Sequence, residues 1–190
     1  MTSGTEAALG HHFARPELLR EALTHRSAVQ RRGHRGDASN ERLEFLGDRV
    51  LGLLIAEWLV ERYPEEPEGD LGPRLADLVS QPVLAGVAEA IGLPAALSVA
   101  PGEAKAGVKK RATVLADALE AAIGAIYLDG GLEPARAFVR RAWEPAMTAQ
   151  AVPPKDAKTA LQEWALAHGR DLPVYQEVGR SGPPHAPEFT

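Results

Sequence analysis

In the segment NERLEFLGDRVL three carboxylates, Glu41, Glu44 and Asp48, follow one another at spacings of three and four residues. At about 100° per helical residue they share one face, within an arc of about 60°. Like charges at these spacings repel by some tenths of a kcal/mol on an isolated helix, so the arrangement gains nothing without a cation. A helix N-terminus would relieve part of the strain at Glu41. A second pair, Asp117 and Glu120, falls in LADALEAAIGAIYLDGG, a run so apolar that it has to be a core helix. Acids on such a helix are costly unless they are paired or bind metal. On its own, E-x-x-E-x-x-x-D is common on solvated helix faces. The second pair is harder to read that way, and five acids from two helices can converge on a hard divalent ion. Mg²⁺ or Mn²⁺ suits such oxygen-only ligands.

The elements that must position these acids are helical almost throughout from Phe13 to about Met147. Leu, Ala, Glu and Arg dominate there, apolar residues recur at three and four, and no alternating run suggests a strand. Pro16 fits the first turn of a helix continuing through LLREALTHRSA, and Ser39 or Asn40 can cap a long helix running to about Tyr63. PEEPEGD reads as an acidic turn, and PGEAKAGVKKR as a Gly- and Lys-rich loop. A strongly apolar helix follows from about Thr113 to Leu128, closed by Asp129-Gly130-Gly131. Another begins near Glu133 with Pro134 in its first turn. AVPPKD has the composition of a linker. Beyond it come a short helix, KTALQEWALAHG, and then LPVYQEVG, a Ser-Gly-Pro-Pro turn and PEFT, the beginning of a strand. One helix with one and a half strands cannot bury two faces of a sheet, so these last residues read as part of a domain.

Composition narrows the chemistry further. The chain has 190 residues, 45% of them apolar, 25% charged and 5% aromatic, a globular balance large enough for a real core. It lacks cysteine, which excludes disulfide scaffolds, thiolate zinc sites, iron–sulfur clusters and cysteine nucleophiles. No run is apolar enough to span a membrane and no signal peptide is visible, so a cytoplasmic protein is expected. Net charge is −5, which by itself argues against a protein devoted to holding nucleic acid. Residues 1–150 carry 17 basic and 21 acidic groups, however, so the acidity is concentrated in the part that bears the five carboxylates.

NERLEFLGD, followed further along by LADALEAAIGAIYLDGG, closely resembles the bacterial ribonuclease III family. LREALTHRSA, PEGDL and PGE extend the resemblance. The tail DAKTALQEWALAHGRDLPVYQEVGRSGPPHAPEFT resembles the front of a double-stranded-RNA-binding domain, without the third strand and lysine-bearing second helix of that module. The resemblance implies an all-α endonuclease domain over residues 1–150 and a linker over 151–155. The first part of an α+β RNA-binding domain, a helix and the beginning of a sheet, would occupy 156–190. It implies a homodimer, not associated with membranes, that hydrolyses double-stranded RNA with Mg²⁺, Mn²⁺ being able to substitute. The products would carry 5′-phosphate and 3′-hydroxyl ends with two-nucleotide 3′ overhangs, and the substrates would include precursors of ribosomal RNA and some mRNAs or tRNAs.

By the same resemblance Glu44, Asp117 and Glu120 bind metal, and Asp48 and Glu120 are the essential catalytic acids. Glu41 and Glu68 line a dimer cleft, and Phe45 packs into the partner subunit. Gln162, Glu163 and His185 match positions that enter an RNA minor groove. The basic run Lys105, Lys109, Lys110 and Arg111, just before the second acidic motif, is a candidate for gripping RNA phosphates, equally readable as a solvated loop. Two departures from the family pattern are Arg49 after Asp48, where a small residue is usual, and Gly72-Pro73, where a capping Ser or Thr and an Arg are expected.

The remaining polar residues suggest less. His25 reads as a structural hydrogen-bonding residue, and His11, His12 and His34 as exposed loop residues. Arg136, Arg140 and Arg141 read as a solvated face, Trp164 and Tyr175 as core. Two other functions compete with the nuclease: a catalytically inactive RNA binder, although none of the acids is missing, and a helical di-metal protein, for which Glu-x-x-His pairs are lacking.

Overall fold

The structure is a computed structural model that describes residues 2–29, 39–150, 153–154, 157–176, 179–182 and 188–189. It falls into two compact units, Met1–Pro154 and Lys155–Thr190.

Among its described residues the first unit is helical: α1 (Thr2–Leu9), α2 (Pro16–Ala22), α3 (Arg26–Val29), α4 (Glu41–Arg62), α5 (Glu68–Leu78), α6 (Gln81–Ala90), α7 (Leu93–Ala96), α8 (Pro101–Lys105), α9 (Ala112–Gly130) and α10 (Leu132–Ala149). The centre is α9. Ala, Leu and Ile dominate its faces, and from Leu115 to Ile126 every residue except Asp117 and Glu120 is buried. A helix apolar all round must be sheathed by others, and α4, α6, α2 and α10 pack around it. The α4 contact is the most extensive, with Leu43, Val50, Leu51, Leu54, Ile55, Trp58 and Leu59 turned inward.

The helix expected from Pro16 through Ala28 is broken. Ser98 N–H donates to the Leu23 carbonyl, His25 N–H to the Ser98 carbonyl, and Asn40 N–H to the Thr24 carbonyl. These bonds take up backbone groups that a continuous helix would need, and they dock α3 beside the start of α4. The acidic turn is shorter than PEEPEGD suggested, because Glu68, Gly69 and Asp70 already belong to α5, which continues through Gly72-Pro73. Helix α1 lies in a stretch for which the sequence offered no helical pattern. The supposed Gly- and Lys-rich loop holds α8 and a 3₁₀ turn at Val108–Lys110.

Several polar residues are more deeply engaged than their sequence context suggested. His11 is packed in, its Nε2 2.8 Å from the Asp129 carboxylate, rather than exposed. Arg136 and Arg140 are not a free solvated face: they pair with Glu57 and Glu61 and tie α10 to α4. Arg74 is 1% exposed. Its guanidinium donates to both Glu66 oxygens and to the Gln150 carbonyl, and it lies over the Tyr63 ring at 4.0 Å. The Arg74 hydrogen bonds hold the Glu66 carboxyl below its ordinary pKa. One buried cation on α5 thus ties the turn before that helix to the residue that follows α10.

The second unit contains α11 (Ala157–Ala167) and a two-residue antiparallel pairing in which Arg180 faces Phe189 and Ser181 faces Glu188. Trp164 is not core here. It is half-exposed and stacks on His168, 4.6 Å between centroids, with Arg170 over its ring. Tyr175, also exposed, lies under Lys158.

Candidate active site

Helices α4 and α9 meet at two glycines. A Cβ on Gly47 would collide with the Glu120 carbonyl, and one on Gly124 with the Leu43 carbonyl. Only glycine at both positions allows the backbones to approach this closely. The crossing brings Glu44, one turn before Gly47, against Asp117 and Glu120, which lie two turns and one turn before Gly124. Each of these three acids offers an oxygen, and the three oxygens lie within 4.8 Å of one another.

The electrostatics follow from that packing. Burial, then the Asp48, Glu44 and Asp117 carboxylates, push Glu120 up to about 7, with Arg49 opposing. Glu44 is raised by burial and then by Asp117, Glu41 and Asp48, and Asp117 is raised by burial against the pull of His25 and Arg26. None of the three is in an ion pair among the described residues. Carboxylates held together at such cost, half out of water and without a cation, fit a divalent ion with oxygen ligands.

Asp48 stands apart from the triad, about half exposed and paired with Arg49, whose guanidinium lies 4.6 Å from the centroid of the Phe45 ring. Phe45 is 67% exposed. Beside the triad opens a polar cleft of about 600 Å³ whose wall includes His25, Arg26, Glu44, Glu103, Arg111 and Asp117. Glu41 lines it too, its carboxylate accepting from the Ser39 hydroxyl at 2.7 Å. Glu68 opens α5, exposed and away from the cleft wall. Lys109 and Lys110 lie on the 3₁₀ turn, whose neighbours Val108 and Arg111, rather than the lysines, face the cleft. Gln162 and Glu163 lie on α11, the former partly buried and the latter exposed. His185 and His34 lie outside the described residues.

His25 makes the local hydrogen bond expected of it, its Nδ1 2.9 Å from the Ser27 hydroxyl oxygen, which also accepts from the Ala100 amide. Its Nδ1 also faces Glu103 at 3.5 Å. Serine and carboxylate approach the same ring nitrogen, so this is no nucleophile–base–acid relay. The sequence reading missed the two contact glycines and Arg26. The signal for the glycines was present: LGD and AIGA each put a glycine within four residues of a site acid.

An all-helical unit that crosses two core helices over a carboxylate triad, with a polar cleft alongside, defines a class: helical proteins whose clustered carboxylates could hold a cation on oxygen ligands. The comparisons narrow it. The ribonuclease-III-like family profile matches residues 15–146. Ribonuclease 3 of Rhodopseudomonas palustris is 50% identical over 97% of this chain and 67% of its own length. That of Azorhizobium caulinodans is 48% identical over 97% of this chain and 78% of its own. The nuclease domain of Campylobacter jejuni ribonuclease III superposes with a TM-score of 0.68 at 37% identity, over 75% of this chain and 95% of that one. The chain belongs to the ribonuclease-III-like family, and it is an endoribonuclease.

Proposed function

We propose that the protein cuts double-stranded RNA as a Mg²⁺-dependent homodimer, with residues 1–150 forming the nuclease, 151–155 a linker and 156–190 the first part of an RNA-binding module. The observation that carries this reading is the triad of Glu44, Asp117 and Glu120 oxygens within 4.8 Å of one another beside an open polar cleft. These three residues hold the cation. When bound, Mg²⁺ neutralises charge on the scissile phosphodiester and favours ionisation of the attacking water. Mn²⁺ has the same ligand preference and substitutes.

The chain's own groups then have distinct tasks. Asp48, about half exposed, is free to leave Arg49 and orient water at the phosphate, and Glu120, raised to about 7 in the metal-free site, gives up its proton to ligate the cation. Glu41 and Glu68 shape the cleft of the dimer, and Phe45 inserts into the partner. Gln162, Glu163 and His185 approach a minor groove, with Lys109 and Lys110 on phosphates. The two-residue pairing of Arg180–Ser181 with Glu188–Phe189 is consistent with the first hairpin of such a module. Products with 5′-phosphate and 3′-hydroxyl ends and two-nucleotide 3′ overhangs, ribosomal-RNA precursors and some mRNAs or tRNAs as substrates, and a cytoplasmic location complete the reading. Among the described residues no helix is long and apolar enough to cross a membrane.

End-labelled RNA duplex incubated with Mg²⁺ should be cut to short duplexes, and with EDTA should stay intact. RNA left whole under both conditions would overturn the reading. Glu120→Gln should abolish cutting while the duplex still binds, which separates the enzyme from an inactive RNA binder.

A further inference from the structure

RNA reaching the triad must enter a cleft whose wall carries Glu41, Glu44, Glu103 and Asp117, four acids against few bases. A cation at the triad offsets the charge on its own ligands, but the phosphates on either side of the scissile one need positive partners as well. More than half of the arginines among the described residues of the nuclease unit are unsuited to this. Arg15, Arg49, Arg74, Arg136 and Arg140 are engaged with carboxylates, and Arg141 donates to the Ala8 carbonyl.

Arg26 and Arg111 are the exceptions that face the cleft. Arg26 opens α3 and Arg111 sits directly before α9, so they approach the cleft from separate elements. Both side chains are exposed, and neither is paired with a carboxylate among the described residues. Arg26 is near enough for its charge to be felt at both Glu44 and Asp117. The broken helix at Leu23–His25 explains its placement, since the backbone bonds to Ser98 and Asn40 turn α3 toward the start of α4.

We propose that Arg26 and Arg111 are substrate-positioning residues that grip the phosphates flanking the scissile bond. This rests on the reading of the cleft as the site of RNA cleavage. A guanidinium suits the task because its planar fork meets two phosphate oxygens at once, whereas an ammonium acts as a point charge. Contacts of this kind fix the register of the strand without reading its sequence.

The test compares Arg26→Gln, Arg111→Gln and their Lys counterparts in full-length protein, with Arg62→Gln as control. Arg62 ends α4, about 27 Å along the helix from Glu44 at 1.5 Å per residue. Duplex affinity is measured in the Glu120→Gln background between about 50 and 200 mM salt, and single-turnover cleavage in the otherwise wild-type chain. Each Gln variant should weaken binding about tenfold and lower the salt slope by about one. The Lys variants should restore the slope but only part of the cleavage rate, and Arg62→Gln should change neither. Unchanged affinity and slope in both Gln variants would overturn the proposal, as would an altered Mg²⁺ requirement with an unchanged slope, which would mean that the arginines only offset the triad's charge. Failure of the wild-type chain to cut duplex RNA sinks the parent reading instead, so the two failures are distinguishable.

Discussion

Glu120 carries the sharpest conflict between folding and function in the chain. Its carboxyl titrates near 7 against an ordinary 4.5, so the folded protein binds that proton more tightly than the unfolded chain does. The contribution favours folding below about pH 4.5 and is lost as pH rises through about 7. Metal-free protein should therefore melt at a lower temperature at pH 8 than at pH 5.5, as far as this group decides. Glu120→Gln should flatten that dependence and melt higher than wild type at pH 8. An unchanged profile in the variant would show that Glu120 does not store the strain. Cation binding runs the other way, since the ligands must be ionised to bind it. In a titration followed by thermal stability, the Mg²⁺ concentration needed for half-maximal protection should fall as pH rises from 6 to 8, and lose most of its pH dependence in Glu120→Gln. The acids themselves were legible in the sequence because a charged residue on an apolar helix contradicts its surroundings. Arg26 was not, because an arginine on a surface helix contradicts nothing.

At the scale of elements, the site depends on how closely α4 and α9 approach. Gly47→Ala places a methyl group inside the Glu120 backbone, so the helices must separate or tilt. Overpacking of this kind costs typically 1–3 kcal/mol. Here the displaced backbone belongs to a site residue, so cleavage should fall by more than the lost stability explains. Circular dichroism melts and single-turnover cleavage on the same preparation would check this, and a variant as active and as stable as wild type would refute it. Arg74→Met tests a different joint. Removing the buried cation leaves Glu66 without its partner and the Gln150 carbonyl with the Tyr63 hydroxyl alone, so the fold loses its tie between α5 and the end of α10. The melting temperature should drop sharply, while any folded fraction keeps its Mg²⁺ response. The long helices were readable because α4, α9 and α10 carry apolar periodicity and bounding prolines or glycines in their own residues; the cap expected of Ser39 or Asn40 is not made, since Asn40 precedes α4 without a side-chain cap bond and the Ser39 hydroxyl donates to Glu41. The break at Leu23–His25 was not, because it is imposed by Ser98 and Asn40, residues distant in sequence whose hydrogen bonds leave no local pattern.

For the molecule as a whole, the outer face of α4 bears on assembly. Phe45, Leu53 and Val60 are 67%, 57% and 60% exposed and recur at eight and seven residues, which puts them within an arc of about 80°. Arg49 lies on the same stripe, over the Phe45 ring. A row of large apolar side chains on a core-forming helix is an unusual expenditure of exposed surface for an isolated chain. In the proposed two-fold assembly Phe45 packs into the partner subunit, an isologous contact that repeats every substitution twice. Phe45→Glu therefore introduces two buried charges per dimer. It should weaken self-association at least a hundredfold, about 2.7 kcal/mol, with little change in the helical content of each chain. Sedimentation velocity at micromolar concentration should show wild type as two copies and the variant as one, and duplex cleavage should fall with the loss of dimer. Recovery of cleavage at high concentration of the variant would tie the activity to assembly rather than to damage at the neighbouring Glu44. A wild-type chain that sediments as a monomer yet cuts duplex RNA at full rate would overturn the dimeric reading and leave the stripe for another partner.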